Sequence, residues 1–156
     1  MAAHKGQETM VRNVRWPDWA LCALLALVLG ACARTPPEQA LRQRMDALQQ
    51  AIEARDAAAI DELLADDFIG NDGMDKRQAR RMASALSIRY RNVGVNIGPL
   101  QVRLHGESQA TVEFTAAATG GDGALPDNGQ IWNVTTGWRL AGGDWMLLSA
   151  EWKPKL

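Results

Sequence analysis

Cysteine, histidine and tyrosine are scarce in this chain. Its two cysteines are Cys22 and Cys32, so residues 33–156 contain none. That excludes a disulfide framework for the body of the protein, which must stand on the core that about 125 residues can bury. The histidines are His4 and His105. A zinc site built from the body would lack ligands, and no metal or other cofactor is expected. No charge of one sign dominates: 17 Lys+Arg stand against 18 Asp+Glu in 156 residues. That balance excludes a strongly basic nucleic-acid binder, and no nucleic-acid partner is expected. A phosphate-cradling glycine motif, a Gly-x-Ser-x-Gly elbow and a Cys/His pair are all missing, so no catalytic apparatus is recognisable by motif. The length suits one domain.

No apolar run reaches bilayer length either. The only charged residues in 1–31 are Lys5, Glu8, Arg12, Arg15 and Asp18, and the 13 apolar and small residues Trp19–Ala31 follow them. A spanning helix needs about 20 such residues for roughly 30 Å of hydrocarbon, and Arg34-Thr35-Pro36-Pro37 stops any extension. A basic start, a short apolar stretch and a small-residue exit have the form of a secretory signal. Leu29-Gly30-Ala31-Cys32 resembles the bacterial lipobox, in which two small residues admit the signal peptidase and the Cys thiol receives a diacylglyceryl group. The resemblance implies a lipoprotein signal peptide over 1–31, lipidation at Cys32, a short tether over 32–37 and a domain over 38–156. Two or three acyl chains, at about 0.8 kcal/mol per buried CH₂, anchor stably. Cleavage after Ala31 that leaves Cys32 a free thiol is the alternative. Ala33 stands where known sorting signals carry the Asp that retains lipoproteins at the inner membrane. The expected location is therefore the bacterial envelope, on the outer membrane and facing the periplasm. Met10-Val-Arg-Asn-Val-Arg15 begins a more typical leader than Met1 does, which makes Met10 a second candidate start.

In the body, Thr35, Pro36 and Glu38 together predict a capped helix start. Leu41, Met45, Leu48 and Ile52 then recur at spacings of 4, 3 and 4 to give one apolar stripe. Asp56 is placed to cap a second, shorter helix with Ile60, Leu63 and Leu64 inward. Asp66–Gly73 reads as a short strand and a turn. Asp75 and Gln78 form a capping pair for a third helix, with Ala79, Met82, Ala83, Leu86 and Tyr90 on one face. From Val93 onward the period becomes two: Val93, Val95 and Ile97; after Pro99, Leu100, Val102 and Leu104; then Ala110, Val112, Phe114, Ala116 and Ala118. A loop over 120–129 and strands over 131–140 and 145–152 complete the pattern. Three helices followed by a four-stranded antiparallel meander make an α+β domain.

This order, with Ala54-Arg-Asp-Ala57, Leu63-Leu-Ala-Asp-Asp-Phe68, Thr136-Gly-Trp-Arg139 and Gly143-Asp-Trp145, resembles the nuclear transport factor 2-like (SnoaL-like) superfamily across nearly all of 38–153. The resemblance implies three N-terminal helices packed on a strongly curved, mainly antiparallel sheet, a cone whose open end is a pocket. Members include isomerases, epoxide hydrolases, cyclases and non-catalytic binding or scaffold subunits, so fold analogy leaves function open.

By that resemblance Asp72 falls where the ketosteroid isomerase branch carries its general base, a carboxylate tuned by apolar neighbours to exchange protons near neutrality. The partners are incomplete. Residues 38–55 contain no Tyr, the only Tyr is Tyr90 on the third helix, and Glu113 alternates with Val112 and Phe114 and so points away from them. In Asn71-Asp72-Gly73 an Asp is also an ordinary turn residue. Trp132, Val134, Thr136, Trp138 and Leu140 share one strand face, which Phe114 and Tyr90 can approach. That face is either the floor of an apolar ligand pocket, with Asp72, Tyr90, Phe114, Trp132 and Trp138 as lining residues, or core. His105 sits in a turn, and Asp122, Asp127 and Asn128 lack the spacing of a calcium loop.

Between Lys76 and Arg91 there are six basic residues and no acidic one. Such a run is ordinarily a solvated face. Here Arg77, Arg80 and Arg81 are also candidates for contact with anionic lipid or an acidic partner, since four steps from Cys32 to Pro36 span at most about 14 Å. The preferred reading is a membrane-anchored periplasmic lipoprotein with a non-catalytic small-molecule-binding or accessory domain. One alternative is an isomerase-, cyclase- or hydrolase-like enzyme using Asp72 as acid–base. Another is a scaffold subunit that pairs through its sheet, for instance as a homodimer.

Overall fold

A computed structural model describes residues 35–121 and 128–155. The leader with its Met10 start, the lipobox with Cys32, Ala33, and the loop residues Asp122 and Asp127 lie outside the described residues. Residues 35–156 form one compact unit. Three helices come first: α1 (Pro37–Glu53), α2 (Ala57–Leu63) and, after strand β1 (Leu64–Ile69) and a 3-10 turn over Asn71–Gly73, α3 (Lys76–Arg89). Strands β2 (Asn92–Ile97), β3 (Gln101–His105), β4 (Gln109–Gly121), β5 (Asn128–Ala141) and β6 (Asp144–Pro154) follow.

Local chemistry explains most helix boundaries. Asp56 accepts from the backbone N–H groups of Ala58 and Ala59, both at 3.0 Å, and so starts α2. Asp75 and Gln78 complete a reciprocal capping box at 2.7 and 2.8 Å, which starts α3. The expectation for α1 is corrected. Pro36 occupies the N-cap with no side-chain cap and Pro37 begins the helix, which leaves Thr35 one residue too early. Glu38 instead pairs with Arg42 one turn on, at 2.7 Å.

The antiparallel meander is present, with one further strand beside it and two strands sharing its first position. The six strands form one mixed sheet in the order β1-β6-β5-β4-β2, with β3 also on β4. The short early strand β1 joins it by running parallel to β6. The antiparallel part has four positions, because β2 and β3 lie end to end along β4: Asn92–Ile97 against 116–121, and Gln101–His105 against 109–113. Pro99, which has no N–H to donate, sits at the break, and Gly98 N–H makes the last bond, to Thr115 O at 2.8 Å.

α1 crosses the sheet diagonally. At its start Trp145 Nε1 donates to Pro37 O (3.1 Å) and Arg44 Nε to Trp145 O (3.0 Å). At its end Gln49 Nε2 donates to Val95 O (2.8 Å) while Glu53 accepts from Val95 N–H (3.3 Å), which satisfies part of the open edge of β2. Beneath it lies the core: Leu41, Met45, Leu64, Phe68, Val112, Trp138, Trp145 and Leu147. Leu41 and Met45 are fully buried, and truncating either to Ala costs about 2–5 kcal/mol. In the middle of this core Trp138 Nε1 donates to Thr136 Oγ1 (2.9 Å), and that hydroxyl donates to Val112 O (3.2 Å). A bulge after Gly137 shifts the β5–β6 register and adds curvature. A Cβ on Gly137 would stand 2.5 Å from Ser149 Oγ.

The α3 face also differs from expectation. Ala79 is buried and Ala83 and Tyr90 half-buried, but Met82 and Leu86 are exposed. The helix packs chiefly on α2 and β1, so only a narrow stripe of small residues is covered.

Candidate functional site

Register determines which end of the molecule can receive a ligand. The inner face of the sheet is a ladder of cross-strand rows. Ala110, Trp138 and Leu147 form one row, and Val112, Thr136 and Ala150 the next. All six are buried under α1. Two residues further along β4 the ladder continues as Phe114, Val134 and Trp152, then as Ile97, Ala116, Trp132 and Pro154. Phe114, Val134, Trp152, Ile97 and Trp132 are only half-buried. One end of the helix–sheet layer is thus a closed core, and the other presents aromatic and aliphatic side chains that are only partly covered.

The five sequence candidates for ligand contact divide along this axis. Phe114 and Trp132 stand in the open rows. Trp138 belongs to the closed core, where its N–H is already satisfied. Tyr90 packs its ring on Gly120, 3.1 Å from where a Cβ would be, and Arg89 stacks over it at 5.5 Å. Asp72 is exposed in the turn after β1, with φ 56° and ψ 27°, the left-handed conformation that Asp tolerates.

Its neighbour Asn71 is what the sequence did not disclose. Asn71 Nδ2 donates to Trp152 O at 2.8 Å and its Oδ1 accepts from Trp152 N–H at 3.0 Å. The side-chain amide thereby extends the parallel ladder past the end of β1 and holds Trp152 at the open end. Val134, Trp152 and Ile97 also stand at this end. Their alternation with Phe114 and Trp132 is in the sequence, but neighbouring strands are aligned only by the register.

The outer face is polar. Glu113 lies there, as its alternation predicts, in a two-pronged ion pair with Arg103 at 2.8 and 3.0 Å. A cleft of about 390 Å³ opens on this side beside the Pro99 break, with Gln101, Glu113, Thr115, Asn133 and Thr135 as its outward side chains. His105 is exposed and bonded to Thr111 Oγ1 at 2.9 Å. Arg139 forks onto Asp67 at 2.6 and 2.9 Å. That hydrogen bonding, ahead of the coulombic attraction, holds the Asp67 carboxyl below the usual aspartate range and Arg139 above its own. Among the described residues no group of three His, Cys, Asp or Glu side chains is placed to hold a metal ion. No described helix is long and apolar enough to cross a membrane.

Of the three basic candidates, Arg80 faces Asp61 at 3.7 Å, Arg77 lies 3.9 Å from its own helix cap Asp75, and Arg81 is exposed.

No protein-family model matches the chain, and no curated protein does. Solved structures do. The chain is similar to Bd1075 of Bdellovibrio bacteriovorus (TM-score 0.67, 16% identity over 75% of this chain), of which it spans 41%. It is similar to a nuclear transport factor 2-like superfamily protein of Salmonella enterica (TM-score 0.66, 14% identity, 77% of this chain and 92% of that one). A candidate scytalone dehydratase of Novosphingobium aromaticivorans matches as well (TM-score 0.66, 12% identity, 76% and 84%). The fold is the nuclear transport factor 2-like α+β cone.

Proposed function

We propose that this chain is a lipid-anchored envelope protein whose cone binds a small, largely apolar molecule at its open end without transforming it. One observation carries the reading: the cross-strand rows Phe114–Val134–Trp152 and Ile97–Ala116–Trp132 continue the core ladder, but all their side chains save Ala116 are only half-buried. Ligand sites are mostly apolar with a few oriented polar groups, and such a floor has that composition. Asp72 does not stand in an apolar enclosure; it is exposed in a turn whose backbone suits it. A general base raised by desolvation needs the enclosure. The anchor rests on the lipobox resemblance at Leu29–Cys32 and the short apolar run before it.

The test uses 1-anilinonaphthalene-8-sulfonate as an apolar probe of the body, residues 35–156, with tryptophan emission as a second readout. Saturable uptake that Trp132→Ala or Phe114→Ala weakens about tenfold, and Asp72→Asn leaves unchanged, supports the reading. Absent uptake, or uptake indifferent to Trp132 and Phe114, overturns it. The anchor is tested separately, by the mass of the N-terminal peptide: a diacylglyceryl adduct on Cys32 is expected, and a free thiol refutes it.

A further inference from the structure

Among the described helices, α3 combines on its outward side exposed arginines with a largely uncovered apolar residue. Six basic residues lie between Lys76 and Arg91, but the structure assigns several of them other work. Lys76 Nζ donates to Leu64 O (2.9 Å) and Asp66 (3.0 Å), Arg80 faces Asp61, and Arg89 stacks on Tyr90. Arg91 lies beyond the end of the helix, so on α3 itself Arg77 and Arg81 remain. The Arg77 side chain is 85% exposed with only the distant Asp75 beside it, and Arg81 is exposed without an ion pair among the described residues. Ile88 is 87% exposed, the most exposed large apolar residue described. At 100° per residue, positions 77, 81 and 88 fall within about 40° of one another, opposite the buried Ala79.

We propose that this stripe, Arg77, Arg81 and Ile88, docks the domain on an anionic phospholipid surface. The body beyond Cys32 has 14 basic and 16 acidic residues, so its net charge is near −2. Attraction to anionic lipid must then come from a local patch, and a local patch orients the domain. A lone isoleucine among arginines suits an interfacial helix, where one apolar side chain enters the headgroup boundary and the guanidinium groups meet phosphate. A protein partner would need a contiguous apolar area of some hundreds of Å², whereas Ile88 is the one large apolar side chain in the stripe. The proposal rests on the anchored reading in one respect. A tether of four steps, at most about 14 Å, keeps the domain near the bilayer, so that weak docking becomes an intramolecular event.

The test removes the anchor. Residues 35–156, a compact unit in themselves, are co-sedimented with vesicles of mixed phosphatidylglycerol and phosphatidylcholine, and with phosphatidylcholine alone. Expected is binding to the mixed vesicles only, weakened as salt rises from about 0.1 M to about 1 M and the screening length falls from about 10 to about 3 Å. At about 1 kcal/mol per basic residue near the surface, Arg77→Ser with Arg81→Ser should lower partitioning about thirtyfold. Ile88→Ser should lower it several-fold without altering the salt slope. All three side chains are exposed, so circular dichroism should show an unchanged fold. Failure of the wild type to bind anionic vesicles, or equal binding by the variants, overturns the proposal. Cys32 is absent from this material, so the result is independent of the mass measurement that tests the anchor.

Discussion

Thr136→Val examines the most buried polar contact in the domain. Thr136 is 2% and Trp138 1% exposed, and the Thr136 hydroxyl is the acceptor for the indole N–H while donating to Val112 O. Valine replaces a hydroxyl by a methyl of similar size, so little cavity or strain is added. What changes is that the indole N–H loses its acceptor in a dry core, which costs about 1–3 kcal/mol. Val112 O keeps its place in the β4 ladder and loses only a secondary bond. For a domain of this size, at about 4 °C per kcal/mol, melting should fall by roughly 4–12 °C. Urea unfolding followed by tryptophan emission should show a lower midpoint with an unchanged slope. The diagnostic step is a cycle with Trp138→Phe, which deletes the donor. In that background Thr136→Val should be nearly neutral, giving a coupling of about 1 kcal/mol or more. Additive costs, or a single variant within about 0.5 kcal/mol of wild type, would refute the account of this core as a satisfied polar pair.

Two further outcomes follow from the same geometry. Asn71→Ala removes both amide bonds to the Trp152 backbone and should cost about 1–3 kcal/mol. Hydrogen exchange at the Trp152 amide should accelerate more than at core amides such as Val112, and uniform acceleration would argue against a local tie. Asp67 has its folded-state pKa lowered from 3.8, mainly by the Arg139 hydrogen bonds. Its contribution is therefore complete above the ordinary aspartate range and disappears as pH falls through the lowered value. Wild type and Asp67→Asn should differ modestly near neutrality, less at high salt since both groups are exposed, and converge in acid. A gap that persists at the lowest pH would rule out the ion pair as its source.

Much of the helical layer was legible because its signals are local. Asp56 and the Asp75/Gln78 pair cap their helices by reaching two or three residues along the chain, and the Leu41–Met45 stripe needs only the 3.6-residue period. The start of α1 lies one position beyond the cap that the pattern predicts, since two prolines in succession leave the capping geometry undetermined by pattern. On α3, Met82 and Leu86 obey the period yet remain outside, because a periodic face says which side is apolar and not how much of it a neighbour will cover.

The candidate site was legible only in part. The alternation puts Trp132 and Trp138 on one strand face and lets Phe114 approach it from another strand. Whether such a residue seals the core or borders an opening depends on where α1 ends above the sheet. That is a distance between segments far apart in the chain. The same holds for the tie between Asn71 and Trp152, 81 residues apart.

The linear order of side chains by itself determined the α+β class, the alternation that separates inner from outer faces, the break at Pro99 and the cationic run on α3. These follow from backbone periods, a missing N–H and charge, all properties of neighbouring residues. Tertiary structure alone decided that β1 joins the sheet parallel to β6, that the Trp138 indole is spent on Thr136, and that two aromatic rows are only half-buried. It also decided which basic residues of the run meet an acidic or aromatic neighbour. Each of these depends on strand register and on the reach of a helix across the sheet, quantities that exist only once distant segments have packed.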